Sequence, residues 1–182
     1  MIKTSKLYFT ADCHFNQERT RLLSKRPFKD VEEMNEYMIT KWNELVKPED
    51  TVFVAGDFGD FRFRKYLNGK VILITGNYED GISDEELYSY GFDEVYRDHY
   101  EIEHKGKTIT IQHQPEKIKN KRPLKETGIY NLYAHVHKLC MVKEFGLCVS
   151  ADCHNYMPID FDTVEFYMNG ILNYYDKYNV FL

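Results

Sequence analysis

Five short apolar runs in this 182-residue chain each end in side chains that can ligate a metal. LYFTADCH closes on Asp12 and His14, TVFVAGD on Asp57, VILITGN on Asn77, TITIQH on His113, and NLYAHVH on His135 and His137. The runs are rich in Val, Ile, Thr, Tyr and Phe, which favour β-strands. A soluble protein has little structural reason to end five strands in oxygen and imidazole donors. A hydrolase that works through two metals has a direct one, because it needs several ligands on rigid supports, gathered from distant parts of the chain.

The spacing agrees. Asp12/His14 and His135/His137 are i, i+2 pairs, and residues two apart on a strand project from the same face, so each pair is expected to aim both donors at one point. If the strands are parallel, their carboxyl ends share one sheet edge, where open α/β folds bind ligands. Mixed imidazole, carboxylate and amide oxygen, with no thiolate required, suits two divalent ions drawn from Mn, Fe, Zn, Co or Ni, with Mn the expected choice in assays.

The length favours one domain over residues 1–182 with a well-developed core. A net charge of −5 without a basic tract argues against specific nucleic-acid binding. The apolar runs are too short to span a bilayer and MIKTSKLYFT lacks a secretory apolar region, so the expectation is a cytoplasmic protein with no membrane partner. Its partner is then expected to be a small-molecule substrate, and its oligomeric state stays open. Cys13, Cys140, Cys148 and Cys153 show no CxxC spacing and are read as free thiols; strand alternation turns Cys13 away from Asp12 and His14.

A coarse pass gives strands over 6–12, 51–57 and 70–76, separated by an irregular segment at 15–28, a helix over 30–46 with Asp30 as N-cap, and a short helix near 61–67. Ser83 caps a helix over 83–90. VYRDHYEIEH and KTITIQH flank Lys105-Gly106 as a β-hairpin. Residues 114–128 read as a polar surface loop, followed by strands near 130–134, 139–145 and 147–152 and a short helix near 160–168. Alternating strands and helices early, then hairpins late, predict a mixed α/β sheet sandwich flanked by helices. The word ADCH occurs twice, at 11–14 and 151–154. The first copy ends the opening strand, so it is read as the ligand pair, and His154 as a surface or supporting histidine.

Taken in order, Asp12-Cys13-His14, Gly56-Asp57, Gly76-Asn77-Tyr78-Glu79, Gln112-His113 and Ala134-His135-Val136-His137 resemble the motifs of the calcineurin-like metallophosphoesterase family. The likeness is to its small phage- and bacteria-type members, and extends to Phe15 through Phe28, VEEMNEYMITKWNELV, DTVFVAGDF and LNGKVILITGN. It implies a four-layer α/β/β/α sandwich with a dinuclear metal site at the sheet edge. Carried over by motif, Asp12, His14 and His137 hold one metal, Asn77, His113 and His135 the second, and Asp57 bridges both. The metals would sit about 3.5–4 Å apart and share a hydroxide that attacks phosphorus.

Two positions depart from the family pattern. Ala134 replaces the glycine before HxH. Tyr78 replaces the histidine that normally protonates the leaving group, which shifts the expected activity toward phosphodiesters or activated esters. Tyr78 becomes a tentative proton donor, with His99 as the alternative. Arg19, Arg21, Arg26, Arg62 and Arg64 are candidates for phosphate recognition, or else solvated surface residues. The competing readings are a metal-dependent phosphatase of nucleotides or other small monoesters, and a catalytically weak scaffold in which metal supports the fold.

Overall fold

The computed structural model describes residues 5–174. Its first half lays down β1 (Leu7–Thr10), β2 (Thr51–Ala55), β3 (Lys70–Ile74) and β4 (Glu94–Tyr96) as parallel neighbours in one sheet, and β10 (Ile159–Asp160) adds antiparallel to β1. Parallel strands need cover on both faces. Alternation along the runs supplies it: Tyr8, Val52, Val54, Val71 and Leu73 face one core, while Phe9, Phe53, Ala55, Ile72 and Ile74 face another.

The first core lies under the helices α2 (Val31–Leu45) and α3 (Asp84–Ser89), and α1 (Glu18–Leu23) lies against α2. Met34, Met38 and Trp42, spaced four apart, put one stripe of α2 into it. Burying each is worth about 1.5–3 kcal/mol. The Trp42 indole N–H also finds a partner, the Asn68 carbonyl at 2.9 Å. Asp30 caps α2 by accepting from the Glu33 amide at 2.8 Å, as its sequence position predicts.

The second core lies between the first sheet and a second one ordered β5-β6-β7-β9-β8: β5 (His99–His104), β6 (Lys107–Gln112), β7 (Tyr130–Tyr133), β8 (Val142–Lys143) and β9 (Gly146–Cys148). The β5–β6 hairpin turns on Lys105 and Gly106 at φ 48° and 72°, the paired left-handed residues of a type I′ turn. Strands β6, β7 and β9 run parallel and present Ile109, Ile111, Tyr130, Leu132 and Leu147 inward. The short α4 (Leu124–Thr127) and the final helix α5 (Phe161–Tyr174) pack on each other, and Leu124, Val164, Met168 and Ile171 join this same core. This is the mixed α/β, two-sheet sandwich that the sequence predicts.

Three details differ from the sequence reading. Residues 15–28 contain α1, six residues long and without a side-chain N-cap, too short for helical periodicity to register. The polar stretch 114–128 contains a 3₁₀ turn at Pro115–Lys117 as well as α4. The closing helix runs six residues further than expected, to Tyr174. The two sheets are joined beside their carboxyl ends, where Ala11 bridges Ser150 and the Ala151 amide donates to the Ala11 carbonyl at 2.9 Å.

Candidate metal centre

The carboxyl ends of β1, β2 and β3 in one sheet and of β6 and β7 in the other open onto one rim, and all seven predicted donors stand there. They form two groups whose donor atoms lie within 4.8 Å of one another: Asp12, His14 and His137, and Asp57, His113 and His135. Asn77 joins the second group through Oδ1, 3.1 Å from His113 Nε2. Asp57 lies between the groups. Its Oδ2 is 3.6 Å from His14 Nε2 and 3.4 Å from His113 Nε2.

The backbone reaches this arrangement through conformations that the sequence alone did not reveal. Asp12, His14, Asp57, His135 and His137 all have positive φ, between 46° and 71°. Strand pairing continues beyond β1, since the Asp12 amide donates to Gly56 O and the His14 amide to Asp57 O, both at 3.0 Å. Left-handed residues replace the pleat, however. The Asp12/His14 pair therefore still meets at one group, while His135 and His137 part to different groups, contrary to the expectation that each pair serves one point. Cys13 does turn away, into the core under the helices, where burial pushes its thiol up to about 12.

Two glycines make the close approach. A Cβ on Gly56, whose φ is +80°, would lie 2.6 Å from the Gly76 backbone; one on Gly76 would lie 2.5 Å from Asp57 Oδ1. Neither contact is sterically allowed, so both positions require glycine.

A set of groups outside the seven donors fixes their orientation. His113 Nδ1 is 2.8 Å from the Ala55 carbonyl, which can only accept, so Nδ1 carries a proton and Nε2 faces the site. His137 Nδ1 is 2.6 Å from Asp152 Oδ2. Asp152 is in turn held by Arg26 through Nε and Nη2 at 3.1 and 2.7 Å, with both side chains fully buried. The same guanidinium donates to the carbonyls of Asp12 and Cys13 at 2.6 and 2.8 Å. Glu79, fully buried, accepts from the amides of Asp57, Phe58 and Gly76 at 3.0, 2.9 and 2.7 Å. The Tyr78 amide donates to Asp57 Oδ1 at 3.0 Å.

Sequence reading missed Asp152 and Glu79 and misjudged Arg26. The signals were present in the second ADCH word and in GNYED. That second word does contribute to the site, through its aspartate. His154 is buried with Nε2 2.8 Å from the Cys148 carbonyl, away from the donors.

Of the five arginines proposed for phosphate recognition, four are committed elsewhere: Arg21 to Glu18, Arg62 to Asp60, Arg64 to the Leu67 carbonyl and Asp93, and Arg26 as above. Only Arg19 lines the cavity over the donors. That cavity, about 440 Å³, also has the Tyr78 ring in its wall, edge-on to His14 with centroids 4.6 Å apart. His99 does not line it.

The donors fit divalent cations. Asp12 Oδ1 and both ring nitrogens of His14 are buried without any hydrogen-bond partner, an arrangement that native proteins avoid unless a ligand is served. Burial holds His14 down to about 3, so it is the neutral imidazole that ligates metals. Burial also raises Asp12. At His113 burial is outweighed by the hydrogen bond to Asp57 and the charges of Asp12 and Asp57, which bring the ring up to about 9. Its Nε2 faces Asn77 Oδ1, Asp57 Oδ2 and His135 Nδ1 within 3.1–3.4 Å, and positive charge at that spot, from a proton or a cation, answers all three.

No family model matches the chain. An uncharacterized protein of Methanocaldococcus jannaschii is 28% identical over 174 residues, spanning 87% of this chain and 89% of that protein. Among solved structures, a protein of unknown function from Aquifex aeolicus superposes with a TM-score of 0.72 at 27% identity, covering 90% of this chain and all of the other. An archaeal phosphodiesterase superposes with a TM-score of 0.53 at 19% identity, covering 87% and 95%. The chain thus shares the fold of that archaeal phosphodiesterase, and groups of side chains able to hold a metal stand at its sheet edge. Among the described residues no helix is long and apolar enough to cross a membrane.

Proposed function

We propose that this protein is a dinuclear-metal-dependent phosphoesterase whose preferred substrates are phosphodiesters. The observation that carries the reading is the pair of three-donor groups with Asp57 between them. Asp12, His14 and His137 would hold one cation, Asn77, His113 and His135 the other, and Asp57 would touch both. Two divalent cations at such a site supply a water acidic enough to act as nucleophile near neutral pH, together with charge neutralisation at the phosphoryl oxygens.

The chain's own residues do the rest. Asp152 and the Ala55 carbonyl fix the tautomers of His137 and His113, so that Nε2 of each ring is the free donor atom. Glu79 and the Tyr78 amide lock the loop and the carboxylate of Asp57. Tyr78, 36% exposed in the cavity wall and edge-on to His14, would be the proton donor nearest the departing group. A phenol donates a proton less readily than an imidazolium. Aryl diesters, whose phenolate leaving groups need little protonation, are therefore cleaved faster than alkyl monoesters, whose alkoxides need a proton.

The test is hydrolysis of bis(p-nitrophenyl) phosphate by chelator-stripped protein reconstituted with Mn, Zn, Co, Ni or Fe. Turnover that requires one of these metals and disappears with chelator is expected. No turnover with any of them would refute the reading.

A further inference from the structure

The cavity over the donors carries more positive charge than one phosphoryl group needs. Arg19 and Lys25, from α1 and the turn after it, and Lys138, from the turn after β7, line it together, and all three are exposed. None of them pairs with a carboxylate among the described residues, although acidic side chains outnumber basic ones in the chain by 29 to 24; Lys138 Nζ donates to the Tyr156 hydroxyl at 2.9 Å and keeps two further N–H donors. Elsewhere on the surface Arg21, Lys41, Arg62, Arg97, Lys105 and Lys117 have such a partner and Lys65, Lys70, Lys119, Lys121, Arg122 and Lys125 do not, so what sets Arg19, Lys25 and Lys138 apart is their convergence on one cavity beside the donors. Lys25 is also held at φ 50°, a left-handed conformation uncommon for lysine. Between these cations the wall is apolar. Leu23 is 70% and Leu139 91% exposed, and Tyr78 presents its ring.

Unpaired cations beside exposed apolar side chains match a ligand with a second anionic group and a flat apolar body. A volume of about 440 Å³ suits a small molecule rather than a polymer duplex. We infer that the substrate is a phosphodiester of about dinucleotide size that carries a second phosphate. Arg19, Lys25 and Lys138 bind that phosphate, and Leu23, Leu139 and Tyr78 receive a base. The inference rests on the phosphoesterase reading and adds the class of substrate. In the reaction water adds to the diester phosphorus, one P–O ester bond breaks, and the released hydroxyl takes the proton from water. The second phosphate stays intact.

The probes are the 5′-phosphorylated dinucleotide pApA and its unphosphorylated counterpart ApA, with adenosine monophosphate and adenosine as ligands for the metal-free protein, in which the three cations are the proposed phosphate site. Metal-free protein should bind adenosine monophosphate more tightly than adenosine by about ten-fold or more, the range for added charge-assisted hydrogen bonds. The metal-loaded enzyme should favour pApA over ApA in kcat/KM by a similar factor. The triple variant R19A/K25A/K138A should bring both ratios to near unity, and Lys138→Arg alone should retain them. Equal handling of pApA and ApA, or equal binding of adenosine monophosphate and adenosine, by the unmodified protein would overturn the inference while leaving the phosphoesterase reading in place, provided that bis(p-nitrophenyl) phosphate is cleaved. Failure to cleave that aryl diester with any metal would remove the phosphoesterase reading and this inference together.

Discussion

Arg26 and Asp152 show how much of the centre depends on residues that never face the cavity. They lie 126 positions apart and form a buried, two-point ion pair that holds the His137 ring and two carbonyls of the first ligand segment. Asp152→Ala leaves the Arg26 guanidinium buried without its counter-charge, a change that costs about 3–5 kcal/mol. It also frees the His137 ring. Thermal denaturation and metal titration should show both a marked loss of stability and a metal affinity weaker by ~10–100-fold. Normal metal affinity in this variant would show that His137 needs no orientation. At Tyr78 the expectation concerns substrates instead. If the phenol protonates leaving groups, Tyr78→Phe should slow alkyl esters by ~10²-fold or more, the usual range for general-acid help, and leave p-nitrophenyl esters nearly unchanged. An equal loss on both ester types would make the ring a wall and not an acid.

At the scale of elements, the strand ends and the turns between them decide the geometry. The strands were legible because alternating apolar side chains face two cores, and the ligands were legible because each closes such a run. The left-handed turn at five of the seven donors was not legible from pattern. Asp and His tolerate positive φ better than most residues, but nothing in the spacing distinguishes that conformation from continued strand. The roles of Glu79 and Asp152 were not legible for a related reason: Glu79 acts through the amides of Asp57 and Phe58 and Asp152 through Arg26 and His137, contacts between distant positions with no periodicity to betray them.

The glycines are tied to the same turns. Gly76→Ala would drive a methyl group into the Asp57 carboxylate and the His113 ring, so metal binding should be lost even where circular dichroism shows a folded chain. Retention of full metal affinity would mean that these strand ends separate easily. The two ADCH segments also differ in kind. His14→Ala should strip metal from the protein. His154→Ala should lower stability without loss of metal, because its imidazole bonds the Cys148 carbonyl and touches no donor. Burial holds His154 below its ordinary range. The unfolded chain therefore takes up a proton that the folded chain refuses, and this residue's contribution is present above about pH 6.5 and fades as pH falls below it. Stability should decline less steeply below pH 6.5 in His154→Ala than in the unmodified protein.

Across the whole molecule, two sheets joined at the Ala11–Ser150 bridge share one rim, and each supplies part of the donor set. Asp12, His14, Asp57 and Asn77 come from the first sheet, and His113, His135 and His137 from the second. A ligand bound there links the sheets and favours the folded state in proportion to its affinity. The central claim is that the rim holds two cations joined by Asp57. Elemental analysis of chelator-stripped protein, saturated with Mn²⁺ and freed of excess metal, measures this directly. Two manganese ions per chain are predicted for the unmodified protein, falling to one or none in Asp57→Asn. One ion or none in the unmodified protein, or two retained in Asp57→Asn, would contradict it.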